Sequence, residues 1–270
     1  MNYKRRKKFG QHFLQDEFIA EKIVSFGKIT KNETVLEIGP GKGILTSILL
    51  KHAKKVIAVE IDVGLVRYLN KRFSNIEHFN LINKDFLKYD LSLFSEKTKI
   101  IGNLPYSTGT RIILYLINYR ERISEMIFML QKEVVDRLVA SPGIKDYGSL
   151  SIFIQLYFDL EILMTISPKS FSPPPKVFST LVNFRPKEPL FEQFDNPKLF
   201  QKIVRLAFSN RRKKLRNNLK SLSLGDHDMK EASLEAGIDL DLRGEMLSIE
   251  EYLKLTRSIN KLTQKSNITH

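Results

Sequence analysis

The chain has 270 residues, 42% of them hydrophobic and 18 of them Phe, which is enough to bury a large core and far from a disordered composition. It contains no cysteine, which excludes disulfides, thiolate metal sites and cysteine nucleophiles; no other residue pattern suggests a metal site. Lys plus Arg outnumber Asp plus Glu by 44 to 30, a net charge of +14 that favours a polyanionic partner such as RNA, with an acidic membrane surface as the competing reading.

In chain order, the basic cluster Lys4, Arg5, Arg6, Lys7 and Lys8 comes first. It leads into Phe-Gly-Gln-His-Phe-Leu and not into a long apolar segment, so no secretory leader is expected; with no apolar run near the roughly 20 residues that span a bilayer, a cytoplasmic location follows. Short apolar runs then alternate with helical patterns, the signature of an α/β sheet built from βαβ units. Strands are expected at Thr34 to Ile38, Val56 to Glu60, Ile76 to Asn83, Lys99 to Gly102 and Met126 to Leu130, and helices at Ile44 to His52, Val63 to Arg72 and Lys132 to Ala140. Between Leu150 and Ile166 the periodicity does not say where helix yields to strand. Pro173-Pro174-Pro175 enforces an extended segment, followed by a strand pattern over Val177 to Phe184 and a linker at Arg185 to Pro189. From about Pro197 the pattern is helical, over Leu199 to Phe208, Lys213 to Leu222, Met229 to Ala236 and Ile249 to Leu262. Two domains are expected: an α/β domain over 1–188 and a small, basic, all-helical domain over 189–270. The second carries Arg205, Arg211, Arg212, Lys213, Lys214 and Arg216, with Lys220 beside them. A solvated basic face is the alternative reading of that cluster.

The first strand runs into Gly39-Pro40-Gly41-Lys42-Gly43, a loop with little side-chain bulk at the carboxyl edge of a sheet, where nucleotide-like ligands lie. It is not the dinucleotide fingerprint, because Ile44 stands where a third glycine belongs, and no Gly-Lys-Ser/Thr makes it a phosphate loop. Glu60 ends the second strand, 17 residues after Gly43, and can accept from both ribose hydroxyls; Asp85, after the third strand, can accept from an adenine amino group. A glycine loop without a pyrophosphate pattern but with acids nearby suits a cationic nucleoside, and S-adenosylmethionine is one. Asn103-Leu104-Pro105-Tyr106 closes the fourth strand. It offers a side-chain carbonyl, a rigid turn that can leave backbone carbonyls free, and an aromatic face, all of which suit a flat base gripped by its amine. A plain strand-ending turn is the alternative.

With these motifs assembled, the chain resembles the small-subunit ribosomal RNA adenine N6,N6-dimethyltransferase family. The resemblance is carried by Gly10-Gln11-His12-Phe13-Leu14, Leu36 to Gly41, Val59 to Asp62, Asn103 to Tyr106, Met129 to Val134, Phe171-Ser-Pro-Pro-Pro-Lys-Val177 and Asn210 to Lys213, in the family's order and spacing. It implies a Rossmann-like methyltransferase sheet, with His12, Leu14, Gly39, Gly41, Glu60, Asp85 and Asn103 lining the S-adenosylmethionine site. Asn103, Leu104, Pro105 and Tyr106 would hold the target adenine, and Phe171 would approach its other face, although by residues alone Phe171 reads as a core aromatic beside prolines. His12 departs from the Asn common at that position. The implied activity is dimethylation of two adjacent adenosines near the 3′ end of 16S rRNA, by a monomer acting on a partly assembled small subunit. The rivals are a large-subunit adenine methyltransferase, a DNA adenine methyltransferase, disfavoured by Leu104 where Pro-Pro is usual, and a non-catalytic assembly factor.

Overall fold

The computed structural model describes residues 12–187, 196–222 and 224–268, with side chains described to residue 264. Lys4 to Lys8, Gly10 and Gln11 lie outside the described residues, as does the end of the expected linker.

The strands are β1 (Phe13–Leu14), β2 (Thr34–Ile38), β3 (Lys55–Glu60), β4 (Phe79–Asn83), β5 (Thr98–Asn103), β6 (Ile123–Gln131), β7 (Phe158–Ile166), β8 (Phe171–Ser172) and β9 (Ser179–Pro186). The helices are α1 (Glu17–Phe26), α2 (Ile44–His52), α3 (Val63–Arg72), α4 (Gly109–Leu116), α5 (Lys132–Val139), α6 (Ser149–Gln155), α7 (Pro197–Ala207), α8 (Leu215–Leu219), α9 (Asp226–Ala236) and α10 (Ile249–Ile268). Seven strands form one Rossmann-like sheet in the order β4-β3-β2-β5-β6-β9-β7. It is parallel from β4 through β6 and antiparallel where β9 meets β6 and β7. The winding reverses between β2 and β5, so the switch point, where ligands bind in such sheets, opens between the loop after Ile38 and Asn103.

The inner strands read as unbroken apolar runs because both of their faces are covered: Val35, Leu36, Glu37 and Ile38 of β2 are all buried. Val35, Ile101, Ile127, Met129 and Leu181 pack on one face with Ile23 and Val24 of α1 and Leu45, Ile48 and Leu49 of α2. Gly102 lets β5 approach β2 at the switch point, since a Cβ there would lie 2.8 Å from the Ile38 carbonyl oxygen.

The expected bounds of β2, α2 and α3 hold residue for residue. The third strand starts at Phe79 instead of Ile76, because the Ile76 and Phe79 amides close turns onto the Phe73 and Ile76 carbonyls at 3.1 and 3.2 Å. The stretch from 150 resolves into α6 and β7. As an edge strand with a register shift between Ile162 and Met164, β7 has only a broken two-residue alternation, which is why periodicity could not place it. α8 begins at Leu215, not Lys213: the Leu215 and Arg216 amides donate to Leu242 and Leu240 carbonyls, which fixes its start.

The chain divides into two compact units. One runs through Val135 and resumes over Tyr157–Pro186; the other takes Asp136–Leu156 and everything from Lys187. A single cut at 188 therefore misassigns Asp136–Leu156. That segment packs with the C-terminal helices through Tyr147, whose buried hydroxyl donates to the Leu247 carbonyl at 3.1 Å, and through the edge-on pair Phe153 and Phe200. α7 starts on Asn196, whose side chain caps the Leu199 amide at 3.0 Å with Pro197 in the first turn, and buries Phe200, Ile203, Val204 and Ala207. Among the described residues, no helix is long and apolar enough to cross a membrane.

Candidate active site

A cavity of about 330 Å³ opens at the switch point, within the size range of small-molecule sites. Its walls follow from the strand order. β4, β3 and β2 deliver Asp85, Glu60 and the Gly39 to Lys42 loop to one side, and β5 delivers Asn103 to Tyr106 to the other. His12 and Leu14 line it as well, because β1 pairs with β8 in a short strap that holds the N-terminal segment against the cavity.

On the acid side, Gly39, Gly41 and Gly43 all take positive φ, and a Cβ placed on Gly39 would meet nothing within 4 Å, so the loop leaves a cradle of bare backbone. Glu60 is 4% exposed. One of its carboxylate oxygens accepts from the Asp62 amide at 2.9 Å and the other from the Gly41 amide at 3.4 Å, which aims a two-oxygen fork beside the glycine loop. Burial pushes its carboxyl up to about 7. Glu37, buried one strand away and bonded to the Thr46 hydroxyl at 2.6 Å, is raised to about 7 as well, first by burial and further by the neighbouring Glu60 charge. Asp85 accepts from the Leu87 amide at 3.1 Å, starting a 3-10 turn. This donor set fits S-adenosylmethionine: acceptors for ribose and adenine, a glycine cradle beside them, and carboxyl groups close enough to face a cation.

On the β5 side the Asn103 amide can be oriented from its partner. Its Nδ2 lies 3.1 Å from the His12 carbonyl, which can only accept, so nitrogen occupies that end and Oδ1 is the end left to accept. The turn assigns the backbone too. The Leu104 amide donates to the Met129 carbonyl at 3.2 Å, and the Pro105 carbonyl already receives the Thr108 and Gly109 amides at 3.1 and 2.8 Å. Pro105 therefore cannot be the free acceptor. Leu104 can, since its carbonyl receives no hydrogen bond among the described residues. The Tyr106 hydroxyl hydrogen-bonds the Ser179 hydroxyl at 2.9 Å, and the ring stacks on the His12 imidazole, centroids 5.5 Å apart and planes at 25°. His12 is fixed in turn by Nδ1, which donates to the Pro173 carbonyl at 2.7 Å.

Phe171 does not join this cavity. It is 4% exposed and packs in the core, paired with Leu14 across the strap, so the structure gives it the packing role that its residue type alone suggested. Sequence reasoning missed Ser179 and Thr46, which only the fold brings to Tyr106 and Glu37. It also passed over Arg111, on the cavity wall in the first turn of α4, where an arginine five residues past the end of the Asn-Leu-Pro-Tyr motif was the available signal.

The basic cluster of the second unit is not uniform. The Arg211 guanidinium donates to the Lys145 carbonyl at 2.7 Å and to the Tyr147 carbonyl, with Nε 3.7 Å from Glu245, so it clamps its own unit and is not a free cation. Lys214, at 3.1 Å, and Arg216 share Asp241. Arg205, Arg212 and Lys213 are exposed and make no ion pair among the described residues.

The profile of the family described as ribosomal RNA adenine dimethylase matches residues 2–261. A Clostridium acetobutylicum protein named ribosomal RNA small subunit methyltransferase A is 40% identical over 261 residues, covering 96% of this chain and 95% of that protein. A Prochlorococcus marinus protein of the same name is 39% identical, with 98% of each chain covered. The crystal structure of a dimethyladenosine transferase from Plasmodium falciparum matches with a TM-score of 0.78 at 29% identity, over 93% of this chain and 98% of that one. A 23S rRNA methyltransferase structure matches at 0.70 with 23% identity, over 92% and 99%, a likeness of fold alone. The chain belongs to the ribosomal RNA adenine dimethylase family.

Proposed function

We propose that this chain uses S-adenosylmethionine to dimethylate N6 of two adjacent adenosines near the 3′ end of 16S rRNA, acting as a cytoplasmic monomer on a partly assembled small subunit. The observation that carries the reading is the pair of unfilled acceptors at the end of β5, Asn103 Oδ1 and the Leu104 carbonyl, in one cavity with the Glu60 fork. The names borne by the relatives support the small subunit as the target.

When bound, the cofactor supplies an electrophilic methyl group on a sulfonium. Glu60 would hold its ribose, Asp85 its adenine, and the Gly39 and Gly41 backbone would leave room for it. The substrate amine is a weak nucleophile because its lone pair is delocalised into the purine. Asn103 Oδ1 and the Leu104 carbonyl each accept one N6 hydrogen, which favours a pyramidal nitrogen and frees the lone pair for in-line attack. After one transfer a single N6 hydrogen remains and one neutral acceptor suffices, so the same site takes the monomethylated base. Tyr106, fixed at its edge by Ser179 and on one face by His12, offers its other face to a base drawn out of its stack. No general base is required, because the proton leaves after the methyl group has arrived. RNA affinity comes from Arg205, Arg212 and Lys213 in the second unit and from the Lys4 to Lys8 cluster.

The test is incubation with labelled S-adenosylmethionine and undermethylated small subunits, followed by primer extension. Label confined to two neighbouring adenosines near the 3′ end is the expected result. Label elsewhere in the small-subunit RNA, none at all, or label only when large subunits are supplied instead contradicts the reading.

A further inference from the structure

We propose that Arg111 anchors the phosphate of the nucleotide whose base enters the cavity, an inference that rests on the function proposed above. Arg111 lines the same cavity as Asn103 and Tyr106, yet it is exposed, which puts it at the mouth and not the floor. Among the described residues it makes no ion pair and no side-chain hydrogen bond. No acid stands in the first turn of α4 to neutralise it. A helix start disfavours a cation, so Arg111 gains nothing from its own helix, and the place rewards an anion arriving from outside.

By strand order, Glu37, Glu60 and Asp85 lie on the β2, β3 and β4 side together with Lys42 and Lys84, while Arg111 stands on the helix that follows β5, beyond Tyr106, where it is the charged residue of that wall. A nucleotide entering with its phosphate toward Arg111 meets a planar guanidinium able to form two parallel hydrogen bonds, and its base then points at Asn103. Ser107 and Thr108 line the same stretch of wall, and among the described residues Thr108 makes no side-chain cap bond to α4, which leaves a hydroxyl to offer the sugar-phosphate backbone. Arg111 is thus a positioning residue that sets which way round the nucleotide is read.

The experiment compares wild type with Arg111→Ala and Arg111→Lys, measuring the S-adenosylmethionine dissociation constant by calorimetry and methyl transfer to undermethylated small subunits across a salt titration. Arg111→Ala should bind cofactor like wild type, raise KM for the subunit about tenfold with kcat little changed, and reduce the slope of log KM against log salt by about one. Arg111→Lys, which keeps the charge without the fork, should restore the slope and only part of the affinity. Cofactor binding weakened as much as subunit binding would assign Arg111 to the cofactor's carboxylate and overturn the proposal, as would an unchanged KM and salt slope. If wild type itself fails to methylate the subunit, the proposed function falls and this inference with it; if wild type is active and Arg111→Ala matches it, only this inference falls.

Discussion

Burial at the end of β3 pushes the Glu60 carboxyl from 4.5 up to about 7, and Glu37 is raised similarly in the neighbouring strand. A carboxyl raised on folding holds its proton more tightly in the native state than in the unfolded chain. Its contribution is therefore complete below about 4.5 and is lost as pH climbs through about 7, worth on the order of 3 kcal/mol for a shift of this size. Thermal melts of wild type and Glu60→Gln, taken without cofactor, should diverge between about pH 5 and about pH 8, with wild type losing ground as pH rises. Parallel curves would show that Glu60 is not raised. Cofactor affinity should move the other way, tightening as pH rises through about 7, because ribose hydroxyls and a sulfonium favour the ionised fork. Ser179→Ala tests the neighbouring support: freeing the Tyr106 hydroxyl should lower kcat several-fold while leaving cofactor affinity in place, and an unchanged kcat would remove Ser179 from the positioning of Tyr106.

At the scale of elements, the strap of β1 on β8 and the loop held by Arg211 do comparable work within their separate units. The strap brings the His12 carbonyl to Asn103, which settles the amide's direction. Arg211 ties the 145–147 loop to the residues after α7 through two carbonyls, and Arg211→Ala should destabilise the second unit by about 2 kcal/mol. Arg211→Lys should recover little, because one ammonium cannot span both acceptors; denaturant titrations that find the alanine variant as stable as wild type would contradict the clamp. These elements also show what the sequence could and could not disclose. β2, α2 and α3 were legible because inner strands and an amphipathic helix repeat locally. The strap, a pair of two-residue strands 158 residues apart from Phe13 to Phe171, has no period to read, and neither has the division of labour among Arg211, Arg212 and Lys213, which look alike in sequence and differ only in the carbonyls the fold sets before them. The same holds at the site: the acceptor residues were readable at strand ends, but the choice of the Leu104 over the Pro105 carbonyl depended on the Thr108 and Gly109 amides of the turn that follows.

For the whole molecule, the net charge of +14 makes association with RNA salt-dependent, and the structure narrows which cations contribute. Reversing Arg212 and Lys213 together to Glu should weaken subunit binding and reduce the salt slope by about two without changing cofactor affinity. Binding with an unaltered slope would make that face merely solvated. The central claim, that the end of β5 grips the amine of adenine through Asn103 Oδ1 and the Leu104 carbonyl, is tested most directly by Asn103→Ala under saturating S-adenosylmethionine and undermethylated small subunits, with cofactor binding measured alongside. Methyl transfer slowed by a factor on the order of a hundred or more, with cofactor affinity reduced but measurable, is the predicted result; turnover within a few-fold of wild type would contradict it.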